Sequence, residues 1–240
     1  MSQLEQTVSR YRSLRLSAAA DELTSLLAEA EANEMSYLSF ADRLAEHELI
    51  QRQDKRIRRN RKMAAFPAEK RLEGFDYRHQ TTITKRQVNA LLDFQFLDER
   101  NNLVFIGPPG VGKTHLAISI GYKAVEAGYR VLFRNALDLV EELELAEMKG
   151  ELKKRVSALA KYDLLIIDEL GYLPMTRQAR YNLFQLINSL YEYRSIILTT
   201  NKDFTSWGEF FHKWPLTSGV AYSLACGLAT AQAYVCTLGS

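Results

Sequence analysis

The chain has 240 residues, with 31 Lys and Arg against 29 Asp and Glu and 47% hydrophobic residues, enough for one large domain or a small one joined to a larger core. That apolar content excludes wholesale disorder, and two cysteines, Cys226 and Cys236, exclude a disulfide scaffold and point to the reducing cytoplasm. The near balance of charge hides an asymmetry: residues 1–51 carry a net −5 and residues 52–71 a net +7, a stretch suited to a polyanion.

No secretory signal is expected at the start, because the first twenty residues mix polar and apolar groups and carry Arg10, Arg12 and Arg15. Residues 1–65 contain neither Gly nor Pro and are rich in Ala, Leu, Glu and Arg, which predicts helix. Tyr37, Phe40, Ala41 and Leu44 have the spacing of one buried helical face. Ser36 or Ser39 is placed to cap that helix, and Ser39 with Asp42 has capping-box spacing. Phe66-Pro67 breaks the pattern, so a linker is expected from Pro67 to Gly74.

Beyond it, strands and helices alternate. Val88, Leu91, Leu92 and Phe96 mark an amphipathic helix. Short runs at 103–106, 130–133 (Arg130-Val-Leu-Phe133), 164–167 and 196–198, apolar but for Arg130, are separated by helical segments, the last near 177–193. This is the pattern of βαβ units, an α/β fold with a parallel sheet covered on both faces. From Trp214 to the end no formal charge remains. Its Ser, Thr, Gly and Gln content makes a membrane span the poorer reading; a final strand near Tyr234-Val-Cys236, or partial disorder, is the better one.

Gly107-Pro108-Pro109-Gly110-Val111-Gly112-Lys113-Thr114 matches the P-loop pattern in full, directly after an apolar strand and before a helix. Glycines let consecutive backbone N–H groups turn inward toward phosphates, and the following helix offers its positive end to the same anion. Lys113 would meet the β- and γ-phosphates, and Thr114 would offer a hydroxyl to Mg²⁺. Leu164-Leu-Ile-Ile167-Asp168-Glu169 reads as a buried strand ending in two carboxylates. Asp168 is then a ligand for Mg²⁺ or its waters, and Glu169 is the group that polarises a water for attack. Ile196-Ile-Leu-Thr-Thr-Asn201 is a second such strand, whose Asn201 either orients that water or begins a turn.

The basic run is Arg52, Lys55, Arg56, Arg58, Arg59, Arg61 and Lys62. On a helix these groups occupy much of the circumference without acidic partners, which suits sequence-blind contact with DNA phosphates. A solvated helix end, or a site for an acidic protein, is the alternative. The four histidines, His47, His79, His115 and His212, are too scattered for a zinc site.

Taken together, Gly107–Leu116, Tyr162–Pro174, Leu198-Thr-Thr-Asn201, Phe66-Pro-Ala-Glu-Lys70, Phe75-Asp76 and Trp207-Gly-Glu-Phe210 resemble the IstB family of transposition helper ATPases. That family is related to the DnaC-type helicase loaders among the AAA+ ATPases. The resemblance runs from about residue 5 to Phe211. It implies an AAA+ P-loop three-layer sandwich, with a helical DNA- or partner-binding region at 1–66, a linker at 67–78 and an ATPase core at 79–211. It also implies ATP and Mg²⁺ as cofactors, Phe75 near the adenine ring, and a homo-oligomer on double-stranded DNA that remodels the target and delivers it to a partner transposase.

Three other readings share the engine. A replicative helicase loader differs only in its client. A scaffold that holds ATP and DNA without turnover remains open. A small-molecule kinase is disfavoured by the Asp168-Glu169 pair. Family members continue past Phe211 with a helix whose arginine reaches the neighbouring subunit's nucleotide. His212–Ser240 contains no arginine, so weakened hydrolysis and oligomer closure are expected, with truncation or an altered reading frame as the explanation for the tail at 212–240.

Overall fold

The computed structural model describes residues 2–77, 83–171 and 175–202, together with the backbone of 233–237. The chain forms two compact units, Met1–Arg59 and Asn60–Ser240.

The first unit contains α1 (Gln3–Ser13), α2 (Ser17–Ala32) and most of α3 (Tyr37–Ala64). Ser2 and Glu5 form a reciprocal capping box on α1. A small core of Ala19, Leu23, Leu26 and Leu44 is backed by Val8, Tyr11, Leu16 and Phe40. The expected face on α3 is partly corrected. Phe40 and Leu44 turn inward, but Ala41 is exposed and Tyr37 is 96% exposed. The stripe continues to Glu48 instead, one turn beyond Leu44. Of the two candidate caps, Ser36 is used: its Oγ accepts the Ser39 N–H at 3.2 Å. Ser39 therefore sits inside the helix, and its capping-box pairing with Asp42 is not formed.

Glu48 compensates for a missing cap elsewhere. Leu16 gives α2 no side-chain cap, and the Glu48 carboxylate accepts the Ala19 N–H at 2.9 Å. Arg52 holds that carboxylate at 2.7 Å and donates to the Arg15 carbonyl at 2.6 Å. Burial alone would raise the Glu48 pKa; the Ala19 N–H, Arg52 and the Ala18 N–H outweigh it and hold it below the ordinary value.

The second unit is built on a parallel sheet in the order β2-β3-β4-β1-β5. Its strands are β1 (Asn102–Ile106), β2 (Val131–Asn135), β3 (Leu164–Leu170), β4 (Ser195–Thr200) and β5 (Ala233–Thr237). Connecting them are α6 (Lys113–Glu126), α7 (Ala136–Met148), α8 (Leu152–Leu159) and α9 (Arg177–Leu190). Side chains alternate across the sheet. Val104, Leu132, Leu165, Ile167, Ile196 and Leu198 join the core under α7, α8 and α9. On the other face Ile166 lies so close to α6 that a Cβ on Gly121 would sit 2.7 Å from its Cδ1. The α/β three-layer architecture expected from the sequence is present. The strand expected near Tyr234-Val-Cys236 is β5, paired with β1; the rest of the tail, Trp207-Gly-Glu-Phe210 and His212 lie outside the described residues.

Two expectations shift. The single helix over Val88–Phe96 is two short ones, α4 (Lys85–Leu91) and α5 (Gln95–Asp98), separated where Phe94 adopts φ +56°. The division between units falls inside α3, seven residues before the expected boundary at Phe66. From Asn60 onward the helix already packs on the second unit. Asn60 Nδ2 donates to the Gly128 carbonyl at 3.3 Å, Ala64 is fully buried, and Phe66 stacks on Tyr122 with centroids 4.4 Å apart. Residues expected to be linker are likewise fixed. Ser119 Oγ donates to the Lys70 carbonyl at 3.1 Å, and His115 Nε2 lies 2.8 Å from the Arg71 carbonyl.

Candidate nucleotide site

The site lies at the C-terminal ends of β1, β3 and β4, where open α/β sheets place ligand crevices. Gly107 N donates to the Thr200 carbonyl at 3.2 Å, which ties the start of the loop to β4. Gly110 and Gly112 have φ of +85° and +94°, left-handed backbone that residues with a Cβ enter at a cost. Gly112 opens α6 without a side-chain cap, so first-turn N–H groups keep the anion-binding geometry of a helix start. Lys113 is buried, and its ammonium donates to the Gly107 and Pro108 carbonyls, both at 2.8 Å. Burial lowers its pKa, opposed by the carboxylates of Asp168 and Glu169.

Asp168 is 4% exposed. Its Oδ1 accepts two hydroxyls, Thr114 Oγ1 at 2.8 Å and Thr199 Oγ1 at 2.5 Å. Burial raises its pKa; the two hydroxyls and Lys113 oppose that rise, and Glu169 reinforces it. Thr114 and Asp168 thus bring hard oxygen donors together, a set matched to Mg²⁺. A cation there would offset the cost of burying the carboxylate.

Glu169 is set apart from its neighbour by the backbone. Its φ is +63°, at an irregularity in the β3–β4 pairing between Ile167 and Leu170. Strained backbone of this kind concentrates at functional sites. The result is an exposed carboxylate beside a buried one. Its amide N donates to Thr199 Oγ1 at 2.9 Å, and its Oε2 accepts from Asn135 Nδ2 at 3.0 Å. Asn135 also caps α7, its Oδ1 accepting the Leu137 N–H at 3.0 Å. A pocket of about 370 Å³ opens between Pro67, Thr114, Asn135, Asp168 and Glu169.

Asn201 follows β4 directly, next to the strand carrying Asp168. Its Oδ1 is buried and, among the described residues, accepts no hydrogen bond, an acceptor of the kind that normally finds a partner. Thr200 also supports a local bend of the chain, since Lys202 N donates to Thr200 Oγ1 at 3.0 Å. Phe75 is buried against the loop, and a Cβ on Gly112 would meet its Cε2 at 2.5 Å. Its ring makes edge contacts with Tyr77 and His115, at 4.8 and 5.5 Å between centroids.

Sequence reasoning missed Thr199 and Asn135. The signal for both was the strand register, which places Asn135 opposite Asp168 and Ile167 opposite Leu198. It also missed the tie from His115 to the segment before Phe75.

All seven residues of the basic run are exposed on α3, but two have acidic partners, contrary to expectation. Arg52 is committed to Glu48 and the Arg15 carbonyl. Arg61 pairs with Glu69 at 3.2 Å and lies 5.1 Å over the Tyr122 ring. Among the described residues no ion pair engages Lys55, Arg56, Arg58, Arg59 or Lys62. Helix α3 carries the run past Arg59, so Arg61 and Lys62 belong to the second unit.

The family of IstB-like ATP binding proteins matches residues 9–224. The match therefore continues thirteen residues past Phe211, where the sequence alone places the departure. The chain is 40% identical over 196 residues to the ATP-binding protein of insertion sequence IS5376 from Geobacillus stearothermophilus, covering 82% of this chain and 78% of that protein. It is 39% identical to the ATP-binding protein of IS21 from Pseudomonas aeruginosa, over 92% of this chain and 82% of the relative. Among solved structures, DnaI aligns with TM-score 0.55 at 16% identity, over 71% of this chain and 91% of its own. The DnaC helicase loader aligns with TM-score 0.51 at 22% identity, over 64% and 86%. At those identities the likeness is one of fold.

Proposed function

The chain belongs to the family of IstB-like ATP-binding proteins, and from that premise we propose that it is an ATPase that assists DNA transposition. It binds and remodels double-stranded target DNA as a homo-oligomer in the cytoplasm and delivers it to a partner transposase. The observation that carries the ATPase reading is the meeting of Thr114 and Asp168 at 2.8 Å, beneath a glycine-built arch and beside Glu169. The names of its relatives, which belong to insertion sequences, favour a transposition client over a replication one.

In this mechanism the loop amides from Gly107 to Thr114 receive the phosphates, and Phe75 packs at the adenine end. Lys113 exchanges its two carbonyl acceptors for β- and γ-phosphate oxygens, which suit an ammonium better than neutral carbonyls do. Thr114 and Asp168 would hold Mg²⁺, which would supply charge neutralisation at the phosphate oxygens. Glu169 takes a proton from a water whose other hydrogen is directed by Asn201 Oδ1. The water oxygen bonds to the γ-phosphorus, the bond to the bridging oxygen breaks, and ADP leaves with the electron pair. DNA phosphates are met by the unpaired cations Lys55, Arg56, Arg58, Arg59 and Lys62, with Arg52 and Arg61 more peripheral.

A phosphate-release assay with and without duplex DNA, run beside Lys113→Ala, tests the reading. DNA-stimulated turnover is expected in the parent, and loss of nucleotide affinity in the variant. Unchanged affinity in Lys113→Ala would refute the phosphate-cradle assignment. ATP and DNA binding without any turnover would favour the static scaffold.

A further inference from the structure

A second opening lies on the outer side of Glu169. Helix α7 and the start of α9 enclose a groove of about 560 Å³. Val140, Met175 and Ala179 contribute apolar surface to it, while Asp138, Glu141 and Glu144 contribute carboxylates. Among the described residues no lysine or arginine lines it. Glu144 accepts the Thr176 hydroxyl at 3.1 Å; Asp138 and Glu141, both exposed, have no partner among the described residues. Along the same helix, Leu137, Glu141, Leu145 and Met148 follow at spacings of four, four and three residues, so they form one outward stripe. Met148 is 84% exposed and Leu145 54%. A run of large apolar side chains left in water beside unpaired acids is the composition of a binding surface rather than of a solvated helix face.

We propose that the α7–α9 groove and the α7 stripe form a docking site for a basic, apolar-anchored segment of a partner protein. Charge complementarity selects the occupant. Carboxylates repel the phosphates of nucleic acid and of anionic lipid, whereas lysine or arginine flanked by leucine-like side chains satisfies both the acids and the exposed apolar groups. The surface shares no residue with the basic run, the P-loop or Asp168; Asn135 and Glu169 line its inner end, and Asp138 also borders the nucleotide pocket.

The probe is a fluorescent sixteen-residue helical peptide of leucine and lysine at three- and four-residue spacing, with a leucine–glutamate peptide of the same pattern as control. The protein is the full chain without nucleotide or DNA, so the outcome is independent of the ATPase reading. The lysine peptide is expected to raise anisotropy on binding and to slow amide exchange within 136–148 and 175–183; the glutamate peptide is expected to do neither. Glu141→Lys should weaken binding by about tenfold or more, with Glu141→Gln intermediate. Both changes lie on an exposed helix surface, and unchanged thermal melts show that the fold is retained. Equal binding of the two peptides, wild-type affinity in Glu141→Lys, or protection confined to other helices would each overturn the proposal. So would sedimentation in which Glu141→Lys dissolves a self-associated species without peptide, because the groove would then belong to a second copy.

Discussion

The nucleotide-site end of the second unit and the basic run of α3 carry charge in opposite ways. Around Asp168 the polar groups hold one another in place, and the Thr199 hydroxyl bonds both the Asp168 carboxylate and the Glu169 amide. On α3 most of the cations stand in solvent, and the two that are engaged, Arg52 and Arg61, stabilise the protein itself. The contrast separates preorganisation from attraction. A reaction needs groups fixed before the substrate arrives, whereas a field for polyanions needs only net charge within a Debye length, about 8–10 Å at ordinary salt.

The largest effect should come from Glu169→Gln, which keeps the shape and the Asn135 contact but removes the proton acceptor. Phosphate release should fall about 10²–10⁴-fold while nucleotide affinity stays within a few-fold; equal losses in both would mean that Glu169 serves binding. Next is Gly112→Ala, which meets a positive φ and the Phe75 ring at once. It should cost about 1–3 kcal/mol in local backbone strain and lose most nucleotide binding by calorimetry. Adding Phe75→Ala should return only part of the loss, because the φ penalty remains. A full return would place all the strain in the ring contact.

On α3 the effects should be smaller and graded. Reversing Lys55 or Arg59 to Glu should weaken DNA binding at every sequence. The slope of log affinity against log salt should become shallower by about 0.9 for each phosphate no longer neutralised. Arg52→Ala should instead loosen the first unit, visible as faster amide exchange in α2. If Arg52→Ala and Arg59→Glu alter the salt slope alike, the division of the run into structural and free cations is wrong. Smallest is the acid response of Glu48. Its lowered pKa adds stability that is complete above the ordinary value of 4.5 and is lost as pH falls from there through the folded value. Glu48→Gln should flatten that acid limb in the exchange of residues 18–32; an unaltered limb would assign it to other carboxylates.

What could be read in advance follows the same line. The P-loop was legible because its conformational demands reside in its own residues: glycine where φ is positive, lysine and threonine at the helix start. Asp168 and Glu169 were legible as the end of an apolar run. Thr199 and Asn135 were not, since each acquires its role only when β2, β3 and β4 align in register. Tyr37 shows the limit of periodicity, which defines a helical face but not how far the neighbouring core extends. The break at Phe94 left no signal, because a phenylalanine at φ +56° is contrary to its preference. The acidic partners of Arg52 and Arg61 lie within eight residues of them, yet only the folded path of the chain shows which cations they claim.

Strand β5 has a consequence for the whole sheet. It pairs with β1 along its full length, from Asn102 opposite Ala233 to Ile106 opposite Thr237, so the strand that bears the arch is flanked on both sides. Removing 233–237 would turn β1 into an open edge of unpaired amides and carbonyls, a template for pairing with other chains. Strand β5 therefore shields β1, the strand that leads into the P-loop, from pairing with a foreign chain.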